Sequence, residues 1–164
     1  MQIIEYLKSL CKDSMYKKCN TIRAFEVKST HFDCIGLIFF YLNQLGIETK
    51  NSEKIININL YKEVFDKDLE NIQQLIAKID EIQSISPDQN LQIGDILMFY
   101  KKQYLHFAIV SKIASNTAYI LHANAENLYI HEQILDVHLK KYLINIFRPV
   151  QNINGLYSTC QTKK

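Results

Sequence analysis

Leu105-His106-Phe107-Ala108-Ile109-Val110, then a polar break at Ser115-Asn116, then Ala118-Tyr119-Ile120-Leu121-His122-Ala123, is the passage on which the fold reading turns. Two apolar runs of strand length separated by a short turn-forming loop read as antiparallel neighbours of a hairpin. Side chains alternate along a strand, so His106, Ala108 and Val110 share one face while Phe107 and Ile109 take the other. His106 begins one strand and His122 ends the next. As antiparallel neighbours, those two ends lie side by side at one edge of a sheet.

Outward from the hairpin, Leu91-Gln92-Ile93-Gly94-Asp95-Ile96-Leu97-Met98-Phe99-Tyr100 has a Gly-Asp corner feeding a continuous apolar run, a turn entering a buried strand at which the sheet is expected to begin. On the other side, a polar bend at Asn124 to Asn127 leads to a strand at Leu128 to His131. Glu132 to Leu139 is helix-prone, which places His131 and His138 at the surface. Tyr142-Leu143-Ile144-Asn145-Ile146-Phe147 closes the sheet before Pro149. Upstream the pattern is helical: residues 1 to 12 with Ile3, Ile4, Leu7 and Leu10 inward, and Leu69, Ile72, Leu75, Ile76, Ile79 and Ile82 at helical spacing. Cys11 to Thr30 is polar and irregular, and Ser84 to Asn90, with Pro87, is a loop. Helices first and strands last make an α+β arrangement. Residues 1–150 read as one domain and 151–164 as a polar tail.

A chain of 164 residues, 48% hydrophobic and 22% charged, fits an ordinary single-domain globular protein. A formal charge of +2 with scattered lysines gives no basis for a nucleic-acid partner. No run approaches the roughly 20 apolar residues of a membrane-spanning helix. The first ten residues lack the pattern of a secretory signal, so a cytoplasmic protein or one exported by a route without such a signal is expected. Cys11, Cys19, Cys34 and Cys160 form no CxxC pair, which disfavours a zinc knuckle or a disulfide framework.

The chemistry centres on His31-Phe32-Asp33-Cys34-Ile35-Gly36-Leu37, which opens a further helix through Leu45 with Leu37, Ile38, Tyr41, Leu42 and Leu45 on one buried face and Gly46 as its C-terminal stop. Asp33 is placed to cap the helix, and the amide dipoles of the first turn favour the Cys34 thiolate, the form that attacks carbonyls. Gly36 is costly inside a helix unless a close approach rewards it. Packing of the Gly36 turn against the small Ala108 would bring Cys34 to His106. A cysteine with an imidazole base and a third polar group on that imidazole is the general arrangement for thiol acyl transfer. Taken singly, Cys34 also reads as a buried inert thiol, and His106 and His122 as core histidines. A metal site from His122, His131 and His138 lacks a recognisable ligand spacing.

Taken together, these segments resemble the NlpC superfamily, also called the NlpC/p-sixty family, of papain-like cysteine peptidases of bacterial cell walls. Phe32-Asp33-Cys34-Ile35-Gly36-Leu37 looks like its nucleophile motif, Gly94-Asp95-Ile96-Leu97-Met98-Phe99 like its Gly-Asp-Leu-Val-Phe-Phe strand, His106-Phe107-Ala108-Ile109-Val110 like its His-Val-Gly-Ile-Tyr strand, and Leu121-His122-Ala123 like its third element. The resemblance implies a papain-like NlpC-type fold, with a helix carrying the nucleophile at its N-terminus packed on a C-terminal antiparallel sheet. It implies Cys34 as nucleophile, His106 as general base and then acid, and His122 as the residue that orients it, with the Cys34 N–H in the oxyanion hole. The implied reaction is hydrolysis of peptide bonds in peptidoglycan stem peptides, commonly the γ-D-glutamyl-diaminopimelate bond, without cofactor or metal.

His31, Asp33 and Asn124 are the residues expected to line the substrate site, and Asn124 and Glu126 are alternatives to His122 as the orienting group. Ile35 stands where the family has serine, the family's Tyr-x-Trp-Gly-Gly segment has no counterpart, and the extra length between Cys34 and His106 falls in the helix around Leu69 to Ile82, a candidate lid. Two other functions remain open at this level: a non-catalytic NlpC-like domain that binds in the same cleft, and a thiol deamidase or acyltransferase acting on another substrate.

Overall fold

The computed structural model describes residues 2–10, 15–16, 31–32, 34–47, 79–101, 104–124 and 129–150. Its elements in chain order are α1 (Gln2–Leu10), β1 (Met15–Tyr16), β2 (His31–Phe32), α2 (Cys34–Gln44), β3 (Ile82–Ile85), β4 (Ile96–Lys101), β5 (Tyr104–Ala114), β6 (Thr117–Asn124), β7 (Tyr129–Ile134), α3 (Val137–Lys140) and β8 (Leu143–Pro149). The strands form one sheet in the order β2-β1-β7-β6-β5-β4-β8-β3. All neighbours are antiparallel except the two-residue strands β1 and β2, which run parallel. The molecule is thus mixed helix and antiparallel sheet.

The expected hairpin forms, with strands longer than the apolar runs that announced it. Ala114 pairs with Thr117 across the loop, and Ser115 and Asn116 both take positive φ, 47° and 64°. Positive φ at both central residues is the type I′ turn, whose twist matches that of the flanking strands.

β4 is entered through the Gly-Asp corner. Gly94 has φ +94°, a region that side-chain-bearing residues avoid, and a Cβ there would sit 2.7 Å from the Tyr41 hydroxyl oxygen. Tyr41, from α2, donates its phenolic hydrogen to the Gly94 carbonyl at 3.0 Å. Asp95, only 1% exposed, accepts from Arg148 Nε at 2.7 Å and Nη2 at 2.8 Å, and from the Gln92 N–H at 2.7 Å. That bidentate pair ties the corner to β8 and gives both oxygens of the buried carboxylate hydrogen-bond partners.

Strand alternation creates two cores. Leu105, Phe107 and Ile109 of β5, with Leu121 and Ala123 of β6, pack in one cluster with α2. Ala108 and Val110, with Leu97, Phe99, Ile120 and Ile146, pack in a second cluster, covered by Leu91, Leu135, Leu139 and Tyr142. α1 lies on the α2 side, with Ile4 and Leu7 buried and Ile3 packed against the cluster. Lys8 reaches Glu132 at 3.3 Å, and Glu132 also accepts from Ser111, so α1 is tied to β7 and β5.

α2 is buried on every side from Cys34 to Leu42, so it is a central helix rather than the one-faced helix its spacing suggested. Each of Leu37, Ile38 and Leu42 is 2% exposed or less, and burying such a side chain contributes about 1.5–3 kcal/mol. The helix stops at Gly46 as expected. Gly46 has φ +75°, its N–H donates to the Asn43 carbonyl at 3.0 Å, and the Ile47 N–H donates to the Leu42 carbonyl at 3.0 Å. Those two bonds are the Schellman cap.

Five readings are corrected. The sheet does not begin at β4, because β3 precedes it and pairs with β8 from Ile82↔Pro149 to Ile85↔Ile146. Ile82 is therefore a strand residue reached through a turn at Ile79, whose carbonyl accepts from the Ile82 N–H at 2.9 Å, and Ser84 and Ile85 are strand rather than loop. Met15–Tyr16 is a strand within a segment read as irregular. Of the helix-prone Glu132 to Leu139, Glu132 to Ile134 belong to β7 and only Val137 to Leu139 are helical, in the four-residue α3. For β1 and β3 pairing with a distant strand, invisible in a local window, overrides local propensity, and for Glu132 to Ile134 the pairing is with the preceding strand β6.

The rest of the candidate lid helix, Asp33, Glu126, the tail at 151–164, and Cys11, Cys19 and Cys160 lie outside the described residues. Among the described residues, no helix is long and apolar enough to cross a membrane.

Candidate active site

Cys34 is the first residue of α2 and is 5% exposed. Its place in the sheet's frame follows from the ladders. β2 pairs His31 with Met15, β1 pairs Met15 with Tyr129, and β7 pairs Tyr129 with Asn124. His31, Tyr129 and Asn124 are thus level with one another at one rim of the sheet. Continuing the β5–β6 ladder three steps from Ile109↔Leu121 brings His106 level with Asn124. β2 runs out past this rim, and α2 starts there and turns back over β5 and β6. The sequence thus delivers the thiol-bearing turn and His106 to the same end of the sheet.

The two expected histidines meet. His106 Nε2 lies 2.8 Å from His122 Nδ1, with ring centroids 4.9 Å apart and planes at 86°. They are diagonal partners on one face of adjacent strands, a separation within reach of long or ring side chains. Ala108, fully buried, falls opposite His122 when the β5–β6 ladder is continued one step from Ile109↔Leu121, so the residue facing that ring is a small one. Phe99 of β4, opposite His106, supports it with ring centroids 6.4 Å apart.

The route proposed from the sequence for bringing Cys34 to His106 is not the one observed. The Gly36 turn does not pack on Ala108. α2 lies over Phe107, Ile109, Leu121 and Ala123, and Ala108 packs with Leu97, Phe99 and Val110. The long side chains of α2 take the bulkier apolar face of the hairpin, and alternation then turns His106 and His122 to the opposite face. Cys34 and the imidazoles share a rim of the sheet and approach it from its two sides.

Burial sets the protonation of the pair. Desolvation, then the charge of His131, lowers His106 to about 4. Desolvation, then the charges of His106 and His131, lowers His122 to about 3, and the Gln133 amide pulls weakly the other way by favouring a proton on His122. Both rings are neutral at neutral pH, so one N–H bridges them. His122 Nε2 is buried and has no hydrogen-bond partner among the described residues. With one N–H shared between His106 Nε2 and His122 Nδ1, which ring donates is set by the tautomer, and a His106 that donates through Nε2 keeps its Nδ1 lone pair as the base.

His131, expected at the surface, belongs with this pair. It stands directly opposite His122 in the β6–β7 ladder, with ring centroids 4.3 Å apart. The signal was present in the sequence: a short bend between His122 and a strand ending near His131 fixes an antiparallel register. His138, in contrast, is exposed on α3, whose first turn is capped by Asp136 accepting from the His138 and Leu139 N–H groups. Of the residues expected to line the substrate site, His31 and Asn124 sit at the rim as backbone positions on β2 and β6. Among the described residues, no group of three or more His, Cys, Asp or Glu side chains is arranged to hold a metal ion. No protein-family model matches the chain, and no curated protein matches it.

Proposed function

We propose that this chain is a cysteine peptidase or amidase that cleaves amide bonds of bacterial cell-wall stem peptides through a thioester, with Cys34 as nucleophile, His106 as base and His122 orienting it. The observation that carries the reading is the 2.8 Å hydrogen bond between His106 Nε2 and His122 Nδ1 at the rim where α2 begins with Cys34. The resemblance of four segments, in order, to the NlpC superfamily supports the substrate class.

In the proposed reaction His106 Nδ1 takes the thiol proton, and the thiolate adds to the amide carbonyl. First-turn N–H groups, which the helix's own ladder does not use, stabilise the oxyanion by about 3 kcal/mol. His106 gives its proton to the leaving amine as the C–N bond breaks. It then takes a proton from water, whose oxygen displaces the thiolate from the thioester, and returns that proton to sulfur. His122 accepts from His106 Nε2–H throughout and stabilises the transient imidazolium, which burial otherwise disfavours.

The test is incubation with muropeptides of defined stem composition, reading the cleaved bond by mass spectrometry. Cys34→Ala and His106→Ala each abolish turnover while retaining the wild-type circular dichroism spectrum; full hydrolysis by Cys34→Ala overturns the proposal.

A second reading, a non-catalytic domain binding a peptide at the same rim, is favoured by one observation: Cys34 and His106 lie on opposite faces of β5. Iodoacetamide separates the two readings. Alkylation of Cys34 near neutral pH much faster than that of Cys11, Cys19 and Cys160 supports the enzyme, and equally slow labelling supports the binder.

A further inference from the structure

β7 sets a third imidazole in line with the pair. The rings run from His106 on β5 through His122 on β6 to His131 on β7, and His131 Nε2 lies 3.3 Å from Gln133 Oε1 on the same strand face. His122, at the centre and 5% exposed, has one of its ring neighbours on each side. The reaction proposed above uses only the first two rings.

Resting on that reading of Cys34, His106 and His122, we propose that His131 is a positioning residue whose ring, held by Gln133, keeps His122 turned with Nδ1 toward His106. The χ2 torsion of a histidine is broad and roughly two-fold, and a half-turn of the His122 ring would exchange Nδ1 for carbon and break its bond to His106. His131 lies at 4.3 Å with its plane inclined 54° to that of His122, in ring contact, so a half-turn of the His122 ring must pass against it.

His131 also acts through charge. A proton on His131 opposes a proton on His122 and on His106, and contributes to holding both rings neutral. The titratable groups that bear on His122 are His106 from β5 and His131 from β7. Phe99 from β4 is uncharged, and Glu132 lies on the other face of β7, where it meets Lys8 and Ser111.

The experiment compares His131→Ala and His131→Phe in the full chain with nitrogen-15-labelled histidine. Long-range proton–nitrogen spectra at neutral pH report which ring nitrogens of His106 and His122 carry hydrogen. One fixed tautomer at His122 is expected in the unsubstituted chain and in His131→Phe, and averaged nitrogen signals in His131→Ala. In muropeptide hydrolysis, His131→Ala lowers kcat by about tenfold with KM within about threefold, the mark of lost orientation rather than lost binding. His131→Phe restores most of that kcat and moves the acidic limb of the profile to higher pH, because the opposing charge is gone. Unchanged His122 signals in a folded His131→Ala, or equal losses in the Ala and Phe variants, overturn the proposal. If His131→Ala fails to fold, His131→Thr, which suits a strand but still removes the ring beside His122, replaces it with the same outcomes. The nitrogen signals need no turnover, so averaged signals in a protein that cleaves nothing uphold His131 as positioning residue and overturn the peptidase reading instead.

Discussion

His106 and His122 are joined ring to ring, Nε2 to Nδ1 at 2.8 Å, on the face of the sheet that α2 does not cover. Desolvation keeps both rings neutral, helped by the charge of His131 on His106 and by those of His106 and His131 on His122. The consequences extend from this pair to the corner that anchors β4.

Acid sensitivity follows from the direction of the shifts. His106 and His122 sit at about 4 and about 3, below the ordinary histidine value of 6.5, so the unfolded chain binds protons that the folded chain refuses. Their neutral burial is fully compatible with folding above about pH 6.5, and stability falls as the pH drops from there toward 4 and 3. Each group steepens the loss by up to about 1.4 kcal/mol per pH unit. Urea unfolding midpoints measured between pH 7 and pH 4 should fall steeply, and His122→Phe should flatten the slope; an unchanged slope in His122→Phe would overturn this account.

Ala108 is a small buried residue that the continued β5–β6 ladder sets opposite His122. Ala108→Leu should push that ring aside, breaking the bond to His106 while costing about 1–3 kcal/mol for overpacking. The same histidine nitrogen spectra and a thermal melt check both halves. Retention of the coupled His106–His122 signals would show that the room comes from elsewhere.

The Asp95–Arg148 pair should be worth more than a surface ion pair, because Asp95 is 1% exposed and both of its oxygens are hydrogen-bonded. Removing one partner strands a buried charge, at a cost of about 3–5 kcal/mol. Arg148→Ala should therefore lower the unfolding midpoint far more than Lys8→Ala, which breaks the more exposed pairs with Glu5 and Glu132. Equal effects of the two substitutions in denaturant titrations would contradict the burial argument.

At Gly94 strain and contact add. Gly94→Ala places a Cβ 2.7 Å from the Tyr41 hydroxyl oxygen at φ +94°, so a loss of about 1–3 kcal/mol is expected. Combining it with Tyr41→Phe removes the contact but not the strained φ, and the double variant should recover part of the loss. Complete recovery would assign the cost to contact alone, and none would assign it to backbone strain alone.

The sequence by itself determined what period and local chemistry can determine. Alternation in Leu105 to Ala123 identified the hairpin and which of its residues share a face. Gly46 marked the helix stop, Gly94-Asp95 the corner, and the order of helices before strands the α+β class. What it left undecided is which face of the hairpin α2 would cover, because both faces are apolar and the choice depends on how the bulk of Leu37, Ile38, Tyr41 and Leu42 fits Phe107 and Ile109 rather than Ala108 and Val110. Only the tertiary packing made that choice. It turned the imidazoles away from α2, set His131 against His122 through a register that spans two strands, and brought Cys34 to the rim through the distant pairings of β1, β2 and β7. Long-range pairing has no local signature, and so the sequence could name candidate residues but not their mutual geometry.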